Sequence, residues 1–173
     1  MLPNPLHPAI VHFPVVLAFL LPISIAAALW AIRRGARRTR AWAVPLATAV
    51  ALAVSAWAAV ETGEAQDERV ERVVAEAPLH THQEMAEAFL AGAAGLAVIA
   101  AVGMFGGLIG KGARVATGLG SLALIVAAAR VGHSGGELVY RYGAASAYTG
   151  DRTTVSALPA SRRVGGDDND DHR

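Results

Sequence analysis

Four long stretches of this chain carry no Asp, Glu, Lys or Arg: residues 8–32, 41–60, 88–110 and 115–129. A helix needs about 20 apolar residues to cross a bilayer, and inside hydrocarbon the backbone must satisfy its own hydrogen bonds. The sequence therefore predicts an all-α, integral membrane four-helix bundle. With 54% hydrophobic and only 17% charged residues, the composition lies outside the soluble class. The fourth stretch is short unless its helix continues through Arg130 to about Gly136, which would place an arginine inside the membrane's outer half. The first stretch is not a cleavable signal peptide, because its positive residues follow the apolar run.

Charge distribution sets the expected orientation. Arg33, Arg34, Arg37, Arg38 and Arg40 lie between the first two stretches, and Lys111 and Arg114 between the last two, with no acid in either loop. Short basic loops face the cytoplasm. All 14 carboxylates then fall at the other side: eight from Glu61 to Glu87, then Glu137, Asp151 and the acidic tail. Both termini are predicted outside, with the chain in the inner (plasma) membrane. Nothing resembles a basic stripe with interleaved aromatics, so no nucleic-acid partner is expected. The absence of cysteine removes disulfides, thiolate metal sites and c-type haem attachment.

Residues 1–145 read as the transmembrane domain and 146–173, rich in Ser, Arg, Asp and Gly, as a disordered tail. In the loop after the second helix, Val70, Val73 and Val74 keep a helical spacing that predicts an extension or a surface helix. Pro78 interrupts, and Thr81 with Glu84 forms a capping box that would start helix three.

The histidines gather at one end of this layout. His7 and His12 begin helix one, His80 and His82 begin helix three, and His133 lies near the outer end of helix four, so antiparallel packing brings them to the same side. Glu61 and Glu64 end helix two there, and Arg130 precedes His133 by one turn. His12, His82 and His133 are the candidate ligands of a b-type haem, with Arg130 as the propionate partner. The same histidines with Glu61 or Glu64 could instead hold zinc or copper. A proton relay or a satisfied polar cluster is the competing account. His7 and His80, each expected outside its helix, are the bystanders. Gly132, Gly135 and Gly136 fit either close helix packing or a flat cofactor. No nucleophile elbow or strand pattern supports a hydrolase, and no catalytic residue is assigned.

The stretches "HPAIVHFPVVL" and "GGELVYRYGA" resemble a family of small bacterial four-helix membrane proteins catalogued as a domain of unknown function. His7, Pro8, Val11, His12, Phe13 and Pro14 match its VHFP motif; Gly135, Gly136, Glu137, Leu138, Val139, Tyr140 and Gly143 match its GGELVY motif. "ETGEAQDERVE" and "HQEMAEAF" are similar to further stretches of the family. Tyr142 stands where many relatives carry a histidine, so a ligand role there is not carried over. The resemblance implies a fold and no activity.

The expected role is electron transfer through a membrane-bound haem b, with a membrane redox partner or a homo-oligomer as associates. The alternative is a non-catalytic membrane module that packs against a redox or transport partner. Labelling of single introduced cysteines should place residues 33–40 and 111–114 in the cytoplasm and residue 70 outside. Modification of the residue 33–40 loop from outside would invert the layout.

Overall fold

The computed structural model describes residues 6–148. It contains α1 (His7–Ile10), α2 (His12–Arg33), α3 (Arg38–Glu64), α4 (Asp67–Val70), α5 (Glu76–Val102), α6 (Gly107–Tyr140) and a 3₁₀ turn, Ala144–Tyr148. With α1 running into α2, four helical segments are long and apolar enough to cross a membrane. The long helices close a ring in which α2 touches α3 and α6, and α5 touches α3 and α6. Short connections join α2 to α3 and α5 to α6 as antiparallel pairs, and the longer link from α3 to α5 carries α4. At the end of α2, Gly35 takes φ 93° and the amides of Gly35 and Ala36 bond back to Ile32 and Ala31, which turns the chain sharply into α3.

One spacing organises the interior. Buried positions step alternately by three and four: Pro14, Ala18, Leu21, Ile25 and Ala28 in α2, and Trp42, Pro45, Ala49, Leu52, Ala56 and Ala59 in α3. The same register runs through Phe89, Ala93, Leu96 and Ala100 in α5 and Gly110, Arg114, Thr117, Ser121, Leu124 and Ala128 in α6. A repeat of 3.5 residues keeps one seam facing the neighbours, as in a left-handed bundle. The outer faces are as apolar as the seam, with Phe13, Phe19, Ile23, Val54, Trp57, Val98 and Leu119 all at least half exposed. Such a surface suits lipid, not water.

Between α5 and α6 the packing is reciprocal. Leu96 of α5 sits where a Cβ on Gly120 would overlap it, and Leu124 of α6 lies 3.1 Å from where a Cβ on Gly92 would stand. The end of the bundle that carries the basic loops is closed by a polar plug. Trp42 Nε1 donates to the Ala100 carbonyl at 2.8 Å, and Arg114 Nη1 donates to the carbonyls of Gly103 at 2.5 Å and Phe105 at 3.3 Å. The Ala100 carbonyl lies in the last turn of α5 and those of Gly103 and Phe105 follow the helix, where no further turn satisfies them, and the guanidinium also meets the negative end of the helix dipole. Arg114, expected as a loop cation, is therefore buried.

Two boundaries differ from the sequence reading. α5 starts at Glu76, five residues before Thr81, and Pro78 sits in its first turn where a missing N–H leaves no gap. Thr81 makes no cap; its hydroxyl donates to the Ala77 carbonyl within the helix. α6 runs unbroken to Tyr140, about 51 Å at 1.5 Å per residue. That exceeds a hydrocarbon core of about 30 Å, so one part of α6 stands clear of it. Of the expected tail, Ser146, Ala147 and Tyr148 belong to the 3₁₀ turn and the remainder lies outside the described residues.

Gly110 and Gly112 give a paired test. A Cβ at Gly110 would overlap the Phe105 carbonyl, while one at Gly112 meets nothing within 4 Å. Gly110→Ala should lower stability by about 1–3 kcal/mol, whereas Gly112→Ala should be neutral or slightly stabilising. Thermal unfolding in detergent measures both; equal behaviour would remove the plug from this account.

Candidate functional site

At the end opposite the plug, the interior register continues into histidine. His7 precedes Val11 and Pro14 by steps of four and three, and His82 follows Leu79 by three. Pro8 occupies the first turn of α1, so His7 is the first helical residue and its ring turns inward, half-buried. Each ring lies against a glycine. A Cβ at Gly63 would come within 3.2 Å of the His7 ring, and one at Gly135 within 3.1 Å of the His82 ring.

The hydrogen bonds fix both tautomers. His7 Nδ1 lies 2.8 Å from the Ala59 carbonyl, which can only accept, so Nδ1 carries the proton. Ser134 Oγ donates its proton to the Val131 carbonyl at 2.9 Å and therefore accepts from His82 Nδ1 at 2.8 Å. Both imidazoles are thus held with Nδ1 as donor and Nε2 as the lone-pair nitrogen. Among the described residues neither Nε2 has a hydrogen-bond partner, and no unpartnered side-chain nitrogen is sealed from open space. The ring centres are 6.5 Å apart with planes at 88°. Metal-binding histidines are oriented through their second nitrogen in this way.

Two cavities flank the pair, and both rings line each of them. The larger, about 430 Å³, reaches outward past Gly63, Gly135 and Leu138 to Glu64, Asp67, Glu87 and Tyr148. The smaller, about 340 Å³, lies between Val11, Pro14 and Val15 on one side and Val131, Gly132, Gly136 and Val139 on the other, with no charged side chain.

Residues of α4, the start of α5 and the 3₁₀ turn wall the outer part of the larger cavity. Val70, Val74, Leu79, Leu138 and Ala144 form a small apolar cluster of their own. Tyr148 donates to Gln66 at 2.5 Å, Gln83 donates to Asp67 at 2.5 Å, and the Arg69 guanidinium lies 5.5 Å over the Tyr148 ring. Burial raises the Asp67 carboxyl above the usual carboxylate range, and the neighbouring Glu71 and Glu64 push it the same way. Burial also raises the Tyr148 phenol, which keeps it a donor.

The expected trio does not assemble. His82 reaches the site, but His12 and His133 are exposed on the outside of the bundle, and Arg130 is exposed with them. Position 12 is one residue beyond Val11 in the inward register, and positions 130 and 133 lie beside Val131 and Ser134, so each points away from the seam. Arg130 has no carboxylate partner among the described residues. Glu61 is exposed and off the cavity wall, whereas Glu64, also exposed, lines it. His80 is exposed and sits 3.5 Å from Glu84, while Glu137 and Arg141 make an i,i+4 pair at 3.3 Å. Among the described residues no group of three or more His, Asp or Glu side chains is placed to hold a metal ion.

Sequence reasoning missed His7, Gly63 and Ser134. The signal was available in the seam spacing, which includes 7, 63, 82 and 135 and omits 12, 130 and 133. Comparison with known proteins adds no relative: no family model, curated protein or solved structure matches the chain. The family resemblance rests on the quoted motifs alone.

Imidazole nitrogen NMR of the purified protein at neutral pH should show His7 and His82 as Nδ1–H tautomers. Ser134→Ala should perturb the His82 nitrogens and leave those of His7 unchanged. A dominant Nε2–H form for either ring would refute the assignment.

Proposed function

We propose that this multi-pass membrane protein binds one b-type haem between His7 and His82, at the acidic end of the bundle, and serves membrane electron transfer. The observation that carries this reading is the pair of oriented, unpartnered Nε2 atoms between two apolar cavities. Two imidazoles that share one metal hold their ring centres at most about 6.2 Å apart, twice the sum of a bond near 2.0 Å and about 1.1 Å from nitrogen to ring centre. The 6.5 Å separation lies just above that limit.

Ligand number favours haem over zinc or copper. A porphyrin brings four donors and asks the protein for two, whereas zinc or copper asks for three or four side chains. When bound, the group would supply a one-electron couple. His7 and His82 would hold it, Ala59 and Ser134 would keep their Nε2 lone pairs available, and the apolar walls would exclude water. Arg130 is not placed to meet a propionate. Arg69, stacked on Tyr148 beside the larger cavity, is the better candidate, and it would have to offset the repulsion of carboxylates by Glu64, Asp67 and Glu87 on the same cavity's wall.

Orientation is part of the proposal. Seven basic residues at one end against an acidic opposite end support a cytoplasmic basic end and an extracytoplasmic histidine site.

The test is the visible spectrum of detergent-purified protein, as isolated and after incubation with haemin. A six-coordinate low-spin spectrum is expected. His7→Ala and His82→Ala should each abolish it, while His12→Ala and His133→Ala should retain it, and Ser134→Ala should weaken haem affinity by about ten- to a hundredfold. No haem uptake by the wild type would eliminate the reading and leave the non-catalytic module in its place.

A further inference from the structure

We infer that the basic end of the bundle is a docking surface for the headgroups of anionic phospholipids. Arg33, Arg34, Arg37, Arg38, Arg40 and Lys111 are all exposed there. Residues 1–60 and 88–136 contain no acid at all. The ion pairs among the described residues, His80 with Glu84 and Glu137 with Arg141, lie at the opposite end. Six cations thus share one rim without a protein carboxylate to balance them, and their mutual repulsion asks for anions from outside the chain.

Apolar surface beside the rim fixes the kind of anion. Trp30 is 62% exposed, Phe105 66%, Leu108 86% and Ile109 74%, all within six residues of a basic residue in sequence. Arg34 lies 5.3 Å over the Trp30 ring, the posture of a cation whose stem follows an aromatic at the interface. Arg38 reaches across the bundle end to the loop before α6, within 3.2 Å of where a Cβ on Gly106 would stand. It links the charges of the α2–α3 connection with Lys111 on α6. A soluble anion would meet only the charges, whereas a phospholipid meets the charges with its phosphate and the exposed side chains with its acyl chains. Each Lys or Arg near an anionic membrane surface adds an attraction that salt screens within a Debye length.

The experiment compares thermal unfolding of the full chain in nanodiscs of phosphatidylcholine with and without phosphatidylglycerol. The anionic lipid should raise the wild-type midpoint by several degrees, and high salt should erase the gain. The triple variant Arg37→Gln, Arg38→Gln, Lys111→Gln should show little or no gain. Inorganic phosphate in phosphatidylcholine discs should not reproduce the effect. An equal gain in wild type and variant, a salt-insensitive gain, no gain in the wild type, or full mimicry by free phosphate would each overturn the inference. If the variant does not fold, the salt series on the wild type decides it.

Discussion

The structure depends on large side chains of one segment seating over glycines of another. Leu96 sits over Gly120, Leu124 over Gly92, Trp42 over Gly103, His7 over Gly63 and His82 over Gly135. Lipid is as apolar as leucine, so burial gives helices little reason to associate in a membrane; close contact and polar satisfaction must supply it. Each glycine lets a neighbouring side chain approach nearer than any Cβ would allow. The same device that packs the core leucines therefore places both site histidines, and the site is an extension of the bundle seam.

The two ends of the seam resolve buried polarity in opposite ways. At the basic end, Arg114 and Trp42 bring donors that are consumed by the carbonyls of Ala100, Gly103 and Phe105. That end is closed, and its glycines Gly103 and Gly110 leave no room for a further group. At the acidic end, one nitrogen of each imidazole is consumed and the other is left over. Gly132 and Gly136 there face no side chain, so the space they leave remains open as cavity wall. A chain that spends glycine on closure at one end and on space at the other is specialised at the second.

The four spans were legible because hydrocarbon thickness translates directly into the length of a charge-free run. The inward register was obscured, since Phe13, Val16, Phe19 and Ile23 make the lipid face of the first span as apolar as its seam. In a soluble helix, polarity would have marked the outside. Small residues at steps of three and four carried the signal instead, and proximity along the chain was a poor substitute. His12 and His133 stand next in sequence to the inward Val11 and Ser134, yet one residue along a helix turns a side chain about 100° away from the seam. His7 looked peripheral because Pro8 follows it, but proline in a first turn starts a helix. Thr81 and Glu84 had the spacing of a capping box inside a helix that had already begun at Glu76.

What the site can accept follows from its protons. With both Nδ1–H groups committed to Ser134 and the Ala59 carbonyl, the histidines present only lone pairs to the cavities. A ligand that merely accepts hydrogen bonds finds no donor in either ring, and a purely apolar one leaves both nitrogens desolvated, at a cost of about 1–3 kcal/mol each. The larger cavity adds Glu64, Asp67 and Glu87 at its rim, which favours positive charge. The demand is therefore for an electron-pair acceptor, a metal centre or a strong hydrogen-bond donor, carried on a body apolar enough for the remaining walls. A metallated macrocycle meets both halves of that demand with two protein ligands, whereas a bare ion meets only the first.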